Sequence, residues 1–236
     1  MTYTILARCS RSGRIGVGIA TYSLAVGGLC PAVRSGAGAV TSQAFVNPEL
    51  RQLGTSLLAA GHSARQTLRL LTEDADFTSF RQVGVLDREG RTAVHTGSDT
   101  RPWSGHAAGP GFLVLGNVLA DEAVVAAMAR AFEAAADQPL SSRLLLALEA
   151  GRSAGGQKGR GGPLPERSAA VRVHGPGAAA EIDLRVDMHP TAIEELRRIH
   201  DAYLPYVAYH RQRWLNPANS LPQEEFVAAL EADATP

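Results

Sequence analysis

The order in which apolar patterns change period along the chain constrains its fold most. Thr2–Ala7 alternates β-favouring residues and Ile15–Thr21 does the same after a Ser12-Gly13 turn, so the N-terminus reads as a hairpin. A short strand at Ala39–Ala44 leads into two helical segments. The first enters through Asn47-Pro48, carries Leu50, Leu53, Leu57 and Leu58, and stops at Gly61; the second is capped by Ser63 and carries Leu68, Leu70 and Leu71. The grammar then repeats. Gln82–Leu86 and Thr92–His95 read as a hairpin around Gly90, Phe112–Leu115 as a strand, and Glu122–Ala135 and Leu140–Ala150 as helices split at Pro139. Ser168–Val173 and Glu181–Val186 form another hairpin, and Thr191–Tyr203 a last helix, while Gly155–Pro165 reads as a loop without periodicity. Antiparallel hairpins alternating with helix pairs each have one apolar face to cover. The economical solution is an α+β, four-layer αββα sandwich of two antiparallel sheets flanked by helices.

The 236 residues suffice for one substantial core, taken here as a domain over 1–204. Residues 205–236 form an aromatic, Pro-interrupted extension whose Tyr206, Tyr209 and Trp214 suit packing on the domain or on a partner subunit, with a homodimer or higher homo-oligomer as the default. Lys+Arg 23 balance Asp+Glu 23, so no basic field marks a nucleic-acid partner. No apolar run reaches a membrane span and no basic n-region precedes an apolar stretch, which makes the cytoplasm the expected location. Cys9 and Cys30 read as two reduced thiols; no metal-ligand spacing appears, no phosphate loop or dinucleotide fingerprint is complete, and no cofactor is expected.

Chemistry points to the N-terminus. Removal of Met1 would leave Thr2 with a hydroxyl nucleophile and an α-amine base on one residue, at the start of a strand that fixes its direction. A Met-Thr start is common, and alone this signal is weak.

A resemblance adds to it. Thr2-Tyr3-Thr4-Ile5-Leu6-Ala7-Arg8, Gly16-Val17-Gly18-Ile19-Ala20, Ala25-Val26-Gly27 and Gly36 through Pro48 are similar to the opening of an uncharacterised bacterial domain-of-unknown-function family of the N-terminal nucleophile (Ntn) hydrolase superfamily. The similarity continues in order through Arg81–Asp87, His95-Thr96-Gly97, Trp103-Ser104-Gly105-His106, Gly116–Ala120, Ala154-Gly155-Gly156, Ser168-Ala169-Ala170 and Asp183–Pro190. It implies the αββα fold and amide hydrolysis with Thr2 as catalytic nucleophile; a chain with no separate domain to hold a polymer then suggests a small amide, ureido or cyclic-imide substrate.

Around that centre, Gln43 and Asn47 are candidate oxyanion donors, with helix entry an equal role for Asn47. His95 and His106, carried by the resemblance, and Asn117 at a strand end are candidate substrate contacts, each with a structural alternative. Arg34 is the single charge in the glycine-rich stretch and would steer an anionic substrate, or else lies on the surface. Asp187 and His189 read as a supporting polar pair.

The chain departs from the family pattern at Gln157, where an acidic residue is usual, and in the longer, basic segment from Lys158, the single lysine, through Arg160 to Pro165. A loop of that charge over the site would favour an anionic small molecule. Two other classes stay open: an enzyme of specialised metabolism that uses the same pocket for acyl transfer or cyclisation without Thr2, and a binding protein on the same scaffold.

Overall fold

The computed structural model describes residues 1–73, 75–177 and 180–233. The chain separates into two compact units, Met1–Arg198 and Ile199–Pro236.

Within the first unit, β1 (Thr2–Arg8) and β2 (Ile15–Thr21) form the N-terminal hairpin, paired from Tyr3–Ala20 to Arg8–Ile15. A short helix α1 (Val26–Leu29) leads to β3 (Pro31–Arg34) and β4 (Gly38–Ala44). Helices α2 (Pro48–Ala59) and α3 (Ala64–Thr72) follow, then β5 (Arg81–Asp87), β6 (Thr92–Thr96), β7 (Ser104–Gly109) and β8 (Phe112–Asn117). After α4 (Ala123–Ala134) and α5 (Leu140–Ser153) come the two short strands β9 (Gln157–Gly159) and β10 (Gly162–Leu164). The unit finishes with β11 (Ser168–His174), β12 (Ala180–Val186) and the first turns of α6 (Ala192–Leu215).

Among the described residues the main strands make two antiparallel sheets, β12-β11-β2-β1-β8-β7 and β3-β4-β5-β6. Helices α2 and α3 cover the smaller sheet, α4 and α5 the larger, and β1, β2 and β8 face β3, β4 and β5 across the middle. This is the four-layer αββα sandwich of two antiparallel sheets expected from the order of elements.

The helices form where the sequence places them because their caps are strong. Asn47 Oδ1 accepts from the Glu49 N–H at 3.0 Å with Pro48 at the first helical position, and Ser63 with Gln66 closes a capping box. Leu50, Leu58 and Leu71 then bury against Val40, Val83 and Val85.

The glycines of β2 answer to helix packing and not to a ligand. A Cβ on Gly16 would lie 2.7 Å from the Arg172 carbonyl and 2.8 Å from Leu144 Cδ1, and one on Gly18 would lie 3.2 Å from the Leu144 carbonyl. They let α5 sit directly on the sheet.

Several elements were hidden from periodicity. The segment over Gly155–Pro165 contains the β9–β10 hairpin and is tied to the strand after β8 by the Lys158 N–H on the Val118 carbonyl at 3.0 Å. Strand β7, rich in Gly and Ala, and β3, opened by Pro31, lack the apolar alternation that marks a strand, yet both pair in full register. Helix α6 continues past Tyr203 through Pro205 to Leu215.

The second unit pairs the latter part of α6 with α7 (Gln223–Asp233). Tyr209 stacks on Phe226 at 4.0 Å, Tyr206 meets the same ring edge-on at 5.1 Å, and Tyr209 Oη donates to the Leu221 carbonyl at 3.2 Å. The aromatic residues of the tail thus supply this unit's own interior, with Trp214 left largely exposed. Among the described residues no helix is long and apolar enough to cross a membrane.

Candidate active site

The space between the two sheets changes character from one end to the other. At one end Leu6, Ile15 and Val17 of the larger sheet meet Ala39 and Leu86 of the smaller. Two or more residues along the same strands, on the same faces, stand Thr2, Thr4, Thr21 and Asn117 opposite Gln43 and Gln82, all buried. This run of buried polar side chains, in a space that is apolar core at the other end, surrounds Thr2.

Register explains how it assembles. Thr2 pairs with Asn117 on β8, Asn117 with Ser104 on β7, and Ser168 of β11 with Thr21 at the end of β2. Ser168, Thr21, Thr2, Asn117 and Ser104 therefore form one row across the larger sheet. In the smaller sheet Gln82 pairs with Gln43 on one side and Thr96 on the other.

Hydrogen bonds cross between the rows. Thr4 Oγ1 donates to Gln43 Oε1 at 2.6 Å, and Gln43 Nε2 donates to Gln82 Oε1 at 2.9 Å and, more weakly, to the Thr2 carbonyl at 3.5 Å. Gln82 Nε2 donates to the carbonyl of Gly116 at 3.0 Å, to Thr96 Oγ1 at 3.1 Å and to the carbonyl of Gly105 at 3.3 Å. Because those carbonyls can only accept, the orientation of Gln82 is determined, and with it that of Asn117, whose Nδ2 donates to Gln82 Oε1 at 3.2 Å. Asn117 Oδ1 is left buried with no donor. An orphaned acceptor costs roughly 1–3 kcal/mol, so a donor from a ligand or from a freed amine beside Thr2 would be stabilised there.

Thr2 itself is 5% exposed. Its hydroxyl donates to the Met1 carbonyl at 2.5 Å and lies 3.2 Å from Thr21 Oγ1, which donates to the same carbonyl. The Met1 α-amine is pushed down from 8.0 to about 6, first by burial and then by the Arg101 guanidinium. Cys30, also near this amine, is buried and its thiol is raised to about 12, so it is an uncharged wall.

The expected site residues fall into two groups. Gln43 and Asn117 converge on Thr2 as described. Gln43 does so as a buried prop whose amide hydrogens are directed to Thr2 and Gln82, rather than as a free oxyanion donor.

Asn47, Arg34 and the two histidines do not join them. Asn47 caps α2 and its N–H donates to Ser42 Oγ at 3.2 Å. Arg34 is exposed and pairs with Gly38, at the far end of β4 from Gln43, roughly five residues or 16 Å along the strand. His95 lies on the opposite face of β6 from Thr96, toward the helices, and its Nε2 meets the Thr78 carbonyl at 3.0 Å. His106 is exposed on edge strand β7, two residues beyond Ser104.

Asp187 and His189 act through the backbone. The Asp187 carbonyl accepts from Ala25 N–H at 3.0 Å, the His189 N–H donates to the Arg167 carbonyl at 2.9 Å, and the Arg167 N–H donates to the Thr21 carbonyl at 2.8 Å. His189 Nδ1 also accepts from the Thr191 N–H at the start of α6.

Thr21, Gln82, Thr96 and Arg101 were missed from the sequence. Continuing the hairpin pairing by one position past Tyr3–Ala20 places Thr21 opposite Thr2, a signal the sequence does hold. Nothing local marks Gln82 or Arg101. Among the described residues no group of three or more His, Cys, Asp and Glu side chains could hold a metal ion.

The basic hairpin β9–β10 stands at this end of the sandwich. Its Gln157 is buried: Oε1 accepts from the Tyr22 N–H at 3.0 Å and Nε2 donates to Glu166 at 3.3 Å. The Gln157 amide thus joins β9 to the chain just beyond Thr21, and Lys158 is turned to solvent.

Comparison with known proteins agrees with this architecture. Protein SPO2555 from Silicibacter pomeroyi, whose crystal structure is solved and which carries the same family description, is 30% identical over 86% of this chain and 88% of its own, with a TM-score of 0.78. Anbu, the ancestral beta-subunit from Yersinia bercovieri, is a distant match at 14% identity over 87% and 96% of the two chains, with a TM-score of 0.41. No curated protein matches. The model of the family of unknown function DUF1028 matches residues 2–196, from the Thr2 of the polar row through every strand of the sandwich and into the first turns of α6, and the chain belongs to that family.

Proposed function

We propose that the protein is an Ntn-type amidohydrolase that acts on a small amide, ureido or cyclic-imide substrate through Thr2 once Met1 has been removed. The observation that carries this reading is the setting of Thr2. It is the first residue of β1, buried at the polar end of the sandwich, with a second hydroxyl 3.2 Å from its own and an orphaned acceptor on the residue paired with it.

In this mechanism Thr2 Oγ1 attacks the substrate carbonyl carbon while the Thr2 α-amine, directly or through a water, takes the hydroxyl proton. The carbonyl π electrons move onto oxygen, and the Thr21 hydroxyl, which already donates to a carbonyl oxygen in this place, donates to the oxyanion. Collapse expels the amine with the proton from the Thr2 amine and leaves an acyl or carbamoyl ester on Thr2. Water, deprotonated by the same amine, then attacks the ester and releases the acid. Burial beside Arg101 lowers the basicity of the Met1 amine, and the same surroundings would keep the Thr2 amine unprotonated near neutral pH.

The test joins mass to turnover. The purified protein is expected at the mass lacking Met1, and Thr2→Ala is expected to fold but lose turnover of its best substrate from a panel of amides, ureides and imides. Thr2→Ser should retain part of the rate. Turnover unaffected by Thr2→Ala would overturn the nucleophile and leave a pocket that works without it.

A further inference from the structure

We propose that the space occupied by Met1 becomes the substrate's seat and that Arg101 selects there for a small amide or ureido compound bearing a carboxylate. The reaction at that seat rests on the Thr2 reading; the binding preference does not.

Register places the pieces. Thr2 pairs with Asn117, so Met1 runs beside Val118. On the other side of Val118 its N–H donates to the Arg101 carbonyl at 3.3 Å, and the N–H of Leu119 donates to the Trp103 carbonyl at 3.0 Å. Arg101 thus stands two strand spacings from Met1, roughly 10 Å between backbones, a gap that an arginine side chain largely spans. Arg101 is exposed, and among the described residues no carboxylate pairs with it.

The chemistry of the seat follows from what Met1 meets in it. Its carbonyl oxygen takes the Thr21 hydroxyl, so the seat holds an amide-like carbonyl. Burial disfavours any charge at its α-amine, but the second cause carries a sign: the Arg101 guanidinium opposes a cation there, and a carboxylate reaching toward Arg101 would meet the opposite charge. Cys30, near the same amine, is buried and its raised pKa keeps it uncharged, so it offers no competing anion. A carbonyl site at Thr21 and a guanidinium within electrostatic reach of the Met1 amine fit an N-acyl or N-carbamoyl amino acid, whose carboxylate the planar guanidinium can take through two N–H groups. Arg34, the cation first expected in this role, is at the other end of the sheet.

The experiment uses full-length protein released from an N-terminal fusion so that Thr2 is the first residue. N-Acetylglycine, N-carbamoylglycine and N-acetylphenylalanine are each compared with their primary amides, binding being read by calorimetry on Thr2→Ala and turnover on the unsubstituted protein. At least one acid should bind about tenfold or more tighter than its amide. Arg101→Gln should erase that preference, Arg101→Lys restore part of it, and Lys158→Ala on the neighbouring hairpin leave it in place.

If no acid outbinds its amide, or if the preference survives Arg101→Gln, the inference is overturned. A carboxylate preference without turnover upholds it and removes the Thr2 mechanism; turnover without a carboxylate preference does the reverse.

Discussion

The hydroxyls of Thr2 and Thr21 lie 3.2 Å apart and converge on one oxygen, the carbonyl of Met1. Two hydroxyl donors aimed at one carbonyl, one of them on a strand's first residue, are the arrangement on which the proposed mechanism rests.

Thr21→Val keeps the shape of the side chain and removes its donor. For the best-turned-over substrate, kcat should fall about 100-fold with KM changed less than about threefold, and Thr21→Ser should recover most of the rate. Steady-state kinetics on the three proteins decide it; an unchanged kcat would remove Thr21 from the oxyanion site.

Gln82 joins the two sheets at their polar end. Gln82→Met approximates its volume but leaves the Gly116 carbonyl, the Gln43 amide and the Asn117 amide without their partner. The expected loss is about 3 kcal/mol, or roughly 6–12 °C in Tm for a protein of this size, read by urea and thermal unfolding. A shift under about 2 °C would mean that the network is not coupled to folding.

Stability of the Met1-bearing chain should depend on pH between about 8 and 6. The folded α-amine titrates at about 6 and the unfolded one near 8.0, so within this window the unfolded state binds more protons and unfolding is favoured as pH falls. The loss approaches roughly 2–3 kcal/mol once both states are protonated. Urea unfolding at pH 8, 7 and 6 measures it. A chain extended by two residues, with its α-amine moved into solvent, is the control; equal slopes in both proteins would show that the Met1 amine is not the group responsible.

The two cysteines should differ in reactivity. Cys9 lines an open cleft of about 660 Å³ with Arg8, Arg11 and Arg143, at the end of β1 away from Thr2. Its thiol is buried, which raises its pKa, but hydrogen bonds from the Ser12 and Arg11 groups outweigh this and lower it. Cys30 is raised to about 12 by burial. An aromatic disulfide reagent at pH 7.5 should label one thiol in the native protein and the second only after denaturation, with Cys9→Ser abolishing the native signal. Labelling of both thiols at one rate would contradict these environments.

Local sequence determined most of the fold and some of the site. Alternation in Thr2–Ala7 and Ile15–Thr21, the Asn47-Pro48 and Ser63 caps, and the leucine spacing of α2 and α3 are read over a few residues, because strand and helix periods and caps are local properties. They sufficed to predict two sheets between two helical layers. Thr2 could be singled out for the same reason, since the role proposed for it depends on its position in the chain.

What the sequence could not hold was which side chains share a face at the same level of the sandwich. His95 and Thr96 are neighbours in sequence, yet the two-residue period of a strand sends Thr96 inward to Gln82 and His95 outward to the Thr78 carbonyl. Arg34 and Gln43 lie close in sequence and at opposite ends of a hairpin, whereas Arg101, about a hundred residues from Met1, comes within electrostatic reach of its amine because β1 pairs with β8 and the Val118 N–H just beyond β8 holds the Arg101 carbonyl. Those distances are set by sheet order and register, which long-range pairing alone decides. The sequence determined that this chain is an αββα sandwich with a threonine at the start of its first strand; tertiary structure decided that Thr21, Gln43, Asn117 and, behind them, Gln82 are gathered around it, because only sheet order and register bring them to one level.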